Sequence, residues 1–348
     1  MRKLLLSTAI ASATLVASNA IAQTTVSGNL DISYKMVGSN TTAATTNSFN
    51  GFGKEAQINI QNKGKLNNGM DYAAGFSLED DGNQGTTLFN ENTYINIISG
   101  NTTLHVGQDH IQNSDRTLAN FVGLIAEDLT NSTGTGLSGD IFLPAVGADP
   151  AQAYGVGIIQ AIPNIGTFSA LYVPSNTAGA AVGGEDVGAD SADESAYEIG
   201  FVGSLGVKGL SAHAFMNKQG KTNSTTATNR DIEGLNYGLS YNMGAITVGY
   251  NYKKTEFTAI AAAAASTGET KQNEFGVAYA LSPNLTVAAN YTKADPSSTL
   301  VDAKSKSLAV GYNLGAIALT AQAAKLENYT GVADVDADVL YLRASTKF

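Results

Sequence analysis

Few side chains in this sequence could do bond-making chemistry. It has three histidines, His105, His110 and His213, and no cysteine. Without thiols there is no disulfide framework, no thiolate metal site and no cysteine nucleophile. A hydrolase would need a histidine paired with a serine or a carboxylate; His110 beside Asp109 and Asp115 is the one arrangement of that kind. Asp and Glu number 30 against 20 Lys and Arg, a formal charge of −10. That argues against nucleic acid as a partner, because phosphate binding needs clustered cations. Two acidic groups, Glu185, Asp186, Asp190, Asp193 and Glu194, then Asp334, Asp336 and Asp338, supply oxygen ligands of the sort Ca²⁺ or Mg²⁺ takes. Their spacing matches no defined cation loop, and they read as hydrated surface. Gly134-Thr135-Gly136-Leu137-Ser138-Gly139 has the spacing of a dinucleotide motif. That motif works only between a parallel strand and a helix, and neither is readable there. No cofactor is implied. What remains is the stretch 109–150, with Asp109, Asp115, Glu127, Asp128, Asp140 and Asp149 and one strong cation, Arg116. Such charges act through their field on what moves past them, and a field needs a facing wall.

The wall is legible as period-two alternation. Val26, Leu30, Ile32, Tyr34 and Met36 share one parity, and Ser27, Asn29, Asp31, Ser33 and Lys35 the other. Leu235, Tyr237, Leu239 and Tyr241 repeat the pattern, as do Ile246, Val248, Tyr250 and Tyr252. Alternation makes strands with one apolar and one polar face. A soluble sandwich alternates too, so the connections decide. Tight turns at Asn67-Asn68-Gly69, Ser99-Gly100-Asn101, Pro163–Gly166, Asn242-Met243-Gly244, Ser282-Pro283-Asn284 and Asn313-Leu314-Gly315, with a weaker one at Leu205-Gly206-Val207, alternate with long polar connections. Short turns on one side and long loops on the other mark a transmembrane barrel. No segment past residue 22 approaches the ~18 to 20 apolar residues a spanning helix needs.

The spacing predicts an all-β, 16-stranded antiparallel transmembrane β-barrel with strands over 24–37, 52–64, 69–80, 91–100, 101–109, 151–162, 165–174, 194–204, 207–217, 231–243, 244–256, 271–282, 283–294, 302–314, 315–326 and 337–348. Closure leaves no edge for the hydrocarbon to strand, and sixteen strands leave an aqueous lumen. Tyr241, Tyr279 and Tyr312 precede tight turns, as an aromatic girdle at the membrane interface would. Residues 1–22 read as a cleaved signal peptide: Arg2 and Lys3, an apolar stretch to Val16, then Ala20-Ile21-Ala22. The mature barrel is then 23–348, with charge −12 once Arg2 and Lys3 are gone.

The start Val26-Ser27-Gly28-Asn29-Leu30-Asp31, the element Gly100 to Gln108 and the last strand ending on Phe348 resemble the general porins of Gram-negative outer membranes, of the trimeric, neisserial type. The resemblance spans the mature chain. It implies export to the outer membrane, contact with its lipid and lipopolysaccharide, a homotrimer, Phe348 as the C-terminal barrel signal, and passive diffusion of small hydrophilic solutes and ions without catalysis. It also implies that 109–150 is a third loop folded into the pore, setting carboxylates against basic wall residues. On that basis the constriction is expected to hold Asp115, Glu127 and Asp128 facing Lys35 and Arg343, with Arg116 on the loop. Family members carry arginines where this chain has His105 and Gln108. The basic side is thinner, and weak to moderate cation selectivity is expected. A solute-specific channel with a binding track in its lumen is the alternative.

Overall fold

A computed structural model describes residues 23–39, 49–80, 89–107, 155–173, 195–219, 230–259, 268–295, 301–328 and 333–348. They form sixteen strands: β1 Gln23–Ser39, β2 Phe49–Lys65, β3 Asp71–Asp80, β4 Phe89–Ser99, β5 Thr102–Gly107, β6 Gly155–Ile162, β7 Gly166–Val173, β8 Ala196–Gly203, β9 Leu210–Gln219, β10 Arg230–Asn242, β11 Ile246–Ala259, β12 Gly268–Ser282, β13 Leu285–Asp295, β14 Ala303–Asn313, β15 Ile317–Glu327 and β16 Ala337–Lys347. Each pairs antiparallel with its sequence neighbours, and β1 pairs with β16 from Asn29↔Lys347 to Ser39↔Ala337. The sheet closes on itself without an edge. All sixteen expected segments are present, with ends shifted by a few residues, and the weakest of the expected turns sits between β8 and β9.

The turns explain themselves chemically. In the β10–β11 hairpin the Gly244 amide donates to Asn242 Oδ1 at 3.1 Å, and in β14–β15 the Gly315 amide donates to Asn313 Oδ1 at 2.7 Å. Both glycines have φ near +90° (87° and 95°), which a side chain would resist. One N-x-G sequence therefore makes the same reversal twice.

The closing seam between β1 and β16 is extended by the last residue. Gly28 N–H donates to the Phe348 carbonyl at 2.8 Å, and Phe348 N–H donates to the Gly28 carbonyl at 3.0 Å. The Phe348 ring lies over Gly28: a Cβ there would sit 2.6 Å from the ring and 2.6 Å from the Gln57 carbonyl oxygen. The terminal aromatic thus has a seat of its own on β1, two strands meeting where a soluble strand would fray.

Parity is kept around the barrel. Outward positions carry Ile32, Leu104, Ile158, Ile199, Leu239, Val277 and Leu308, all exposed, as a lipid-facing band requires. Tyr241, Tyr279 and Tyr312 point outward near the turns. Outward rings also meet across strands, as in Phe168–Phe201 at 4.7 Å and Tyr237–Tyr252 at 5.1 Å. At the loop ends of β9 to β15 the outward face changes character. Lys218–Glu233, Lys254–Glu269 (3.1 Å) and Lys306–Glu327 (2.7 Å) make a belt of partly exposed ion pairs there. No described outward residue on β5–β8 is charged.

Candidate functional site: the pore wall

Inward-facing side chains divide into two walls. The first runs over β16, β1, β2 and β3. Registers Asp31↔Ser345, Asp31↔Glu55 and Gln57↔Glu79 place Asp31, Glu55, Gln57 and Glu79 on the inner side, with Lys35 and Arg343 beside them. Glu55 is exposed, and Lys35, Gln57, Asn59, Gln61, Glu79 and Arg343 are half-buried. Apart from Asp31, which is 8% exposed, this wall looks onto water. Arg343 pairs with Asp31 through a guanidinium–carboxylate contact, a charge-assisted arrangement that fixes the planar fork.

The second wall runs over β9 to β12 and is closed. Lys253 and Glu274 are 1% and 3% exposed, with Nζ and Oε1 3.3 Å apart. The amide of Asn251 donates to Glu274 Oε2 at 3.0 Å. His213 Nε2 lies 2.8 Å from Asn236 Oδ1 and 3.0 Å from Asn251 Oδ1. Both acceptors are carboxamide oxygens, so Nε2 carries the proton. The imidazole stacks on Phe215 with centroids 5.2 Å apart. Burial makes each of these contacts stronger and each unpartnered group costlier, so the polar groups of this sector are held within the wall and away from water.

Between the two, on β13 to β15, every inward residue is uncharged, from Thr286, Asn290 and Thr292 to Ser305, Ser307 and Gln322. Near the loop end this becomes apolar: Val37, Ala294, Ala303, Leu326, Val339 and Tyr341 form one buried cluster on the lumen side.

The residues expected from sequence fall out unevenly. Lys35 and Arg343 sit on adjacent strands of the open wall, two register positions apart. His105 also points inward, on β5, but is 1% exposed; its Nδ1 meets Asn96 Oδ1 at 2.8 Å and its ring stacks beside Tyr94. It is packed into the wall and apart from the other two. Asp115, Arg116, Glu127, Asp128 and the whole of 109–150 lie outside the described residues, as do 1–22, His110, the 185–194 acidic cluster and the 134–139 glycines. Glu79, Glu274 and the amides of β2 were missed by motif reasoning. The signal was present: they share the inner parity of their strands, and only the register between strands shows which of them meet.

A closed sixteen-strand membrane barrel, apolar outside and polar within, is the architecture of a wide outer-membrane channel. A profile of Gram-negative porins matches residues 7–345, and the chain belongs to that family. Its structure is similar to that of an anion-selective porin from Comamonas acidovorans, with a TM-score of 0.70 and 17% identity over 94% of this chain and 100% of that one. It is also similar to in-vitro folded OmpT, an outer membrane protein of Vibrio cholerae (TM-score 0.67, 12% identity, 97% of this chain and 100% of that one). A mutant of Rh. blastica porin follows, with a TM-score of 0.60 and 12% identity over 94% and 100% of the two chains. Among curated proteins none matches in sequence. The protein is an outer-membrane porin.

Proposed function

We propose that this porin passes small hydrophilic solutes and ions by diffusion, without catalysing a reaction, and with a weak preference for cations. One observation carries the sign of that preference. In the middle of the water-facing wall, away from the turn end where Lys63, Lys65, Asp71 and Lys347 lie, two carboxylates, Glu55 and Glu79, stand with one cation, Lys35, while the nearly buried Asp31 is matched to Arg343. The third-loop residues Asp115, Glu127 and Asp128 would add to the acidic side, with Arg116 opposing. A lumen with surplus carboxylate concentrates cations by its field. The anion selectivity of the Comamonas protein does not carry over at 17% identity. In planar bilayers under a KCl gradient, the reversal potential is expected to have the cation sign; a clear anion sign ends this part of the reading.

Residues 1–22 would act as the export leader. The outward ion-pair belt on β9–β15 suits the phosphorylated, cation-bridged head groups of lipopolysaccharide, since its lysines lie on the membrane side, Lys306 exposed and Lys218 and Lys254 half-buried. The uncharged outward face of β5–β8 suits contact with further copies of the chain, as in a homotrimer. Cross-linking cysteines placed at Val156 and Ile158 would link subunits if that face is shared and would stay monomeric if it is not.

A further inference from the structure

Below the charged zone, the open wall is lined by amides. Gln57-Ile58-Asn59-Ile60-Gln61 puts three carboxamides in line on the lumen side, with Ile58 and Ile60 facing out. Alternate residues of a strand are roughly 6.6 Å apart, so the row covers about 13 Å of the path toward the turns. A hydroxyl and a further amide flank it in register, Ser27 beside Asn59 and Asn29 beside Gln57, while Ser77 on the other side of Asn59 is fully buried.

The row is oriented by its own bonds. Gln57 Nε2 donates to Glu79 Oε2 at 3.1 Å, and Gln57 Oε1 accepts from Asn59 Nδ2 at 3.3 Å. Gln61 Nε2 donates to the Tyr94 hydroxyl. Tyr94 lies against the wall over Gly75, where a Cβ would come within 3.2 Å of its ring. These bonds use one N–H of Asn59 and one of Gln61, leaving a second N–H on each and the oxygens Asn59 Oδ1 and Gln61 Oε1 without a partner among the described residues, on side chains half-exposed to the lumen. The amides of β9–β12, by contrast, are sealed in.

We propose that Gln57, Asn59 and Gln61 form a binding track for uncharged, polyhydroxylated solutes such as sugars. A sugar hydroxyl both donates and accepts, and so does a carboxamide. The three amides carry no charge themselves, and the nearest inward charges, Glu79 and Lys63, bound the row at its two ends. Orientation fixed in advance removes part of the ordering cost of binding. The proposal rests on the channel reading and names the solute class that one wall of that channel favours.

The test uses the full barrel in planar bilayers, with glucose and a polyethylene glycol of equal hydrodynamic radius as probes. The polymer carries few hydroxyl donors and controls for size. Glucose is expected to add excess noise to the open-channel current that the polymer does not. In Asn59→Val combined with Gln61→Met, the glucose affinity read from that noise should fall roughly three- to tenfold, the loss of one hydrogen bond's net worth. Asn59→Ser, which disturbs packing less, should give a smaller fall of the same sign. Ile58→Val, facing lipid, should keep the noise of the parent. Equal noise from glucose and polymer, or undiminished noise in the double variant, overturns the track. Absence of any conducting pore would instead overturn the channel reading beneath it.

Discussion

The walls built from β1–β3 and from β9–β12 are written in the same alphabet. Each alternates an apolar residue with an amide, a hydroxyl or a charge, and each carries both signs. Their fates differ. Glu55 on β2 stands in the lumen's water, whereas Glu274 on β12 is almost wholly enclosed and holds Lys253 beside it. In the open wall a charge keeps most of its hydration and its field extends into the passage. In the closed wall a charge has exchanged water for protein partners, a counter-ion and amides among them, so its field is largely neutralised there. Polarity of an inward residue therefore does not by itself make it a pore residue; access to water does.

The comparison can be broken most sharply at Glu274. Glu274→Leu takes the Glu274 carboxylate away from the buried Lys253 ammonium, and removing one partner of such a pair costs about 3–5 kcal/mol. The urea midpoint of the folded barrel in detergent should drop clearly, and the added change Lys253→Met should recover most of the loss. A single variant as stable as the parent would mean the closed wall is not a buried ion pair at all. The open wall should answer in the opposite way. Glu55→Gln with Glu79→Gln should leave the same midpoint within about 0.5 kcal/mol. The cation-to-anion permeability ratio from reversal potentials should fall roughly twofold, the scale of a charge acting through water. The smallest effect belongs outside the lumen. Lys54, paired with Asp80 on the outward face near the loops, is exposed; Lys54→Ala should change stability by less than about 0.5 kcal/mol and leave the permeability ratio where it was. A selectivity shift from Lys54→Ala as large as from the Glu55 and Glu79 pair would show that the outer field, not the wall, sorts ions.

The strand map was legible because two local rules coincide. Alternation marks each strand, as in Ile246, Val248 and Tyr250, and short N-x-G reversals mark one side of the barrel, as at Asn242-Met243-Gly244. Both are properties of a few adjacent residues. The inner parity of Lys35, His105, Lys253 and Arg343 was legible for the same reason. Their partners were not. Arg343 and Asp31 are 312 residues apart in sequence, and their meeting depends on the register with which β16 closes on β1. His105 illustrates the converse: its parity was right, yet Asn96 and Tyr94 enclose it, which no pattern within β5 could show.

Residue order alone decided that this chain makes amphipathic strands joined by unequal connections, because side-chain direction in a strand follows from backbone geometry residue by residue. Folding in three dimensions decided which inward groups meet water, which neutralise one another, and where a row of amides lies open. Those outcomes depend on strand register and on enclosure, which are fixed only when distant segments are brought side by side.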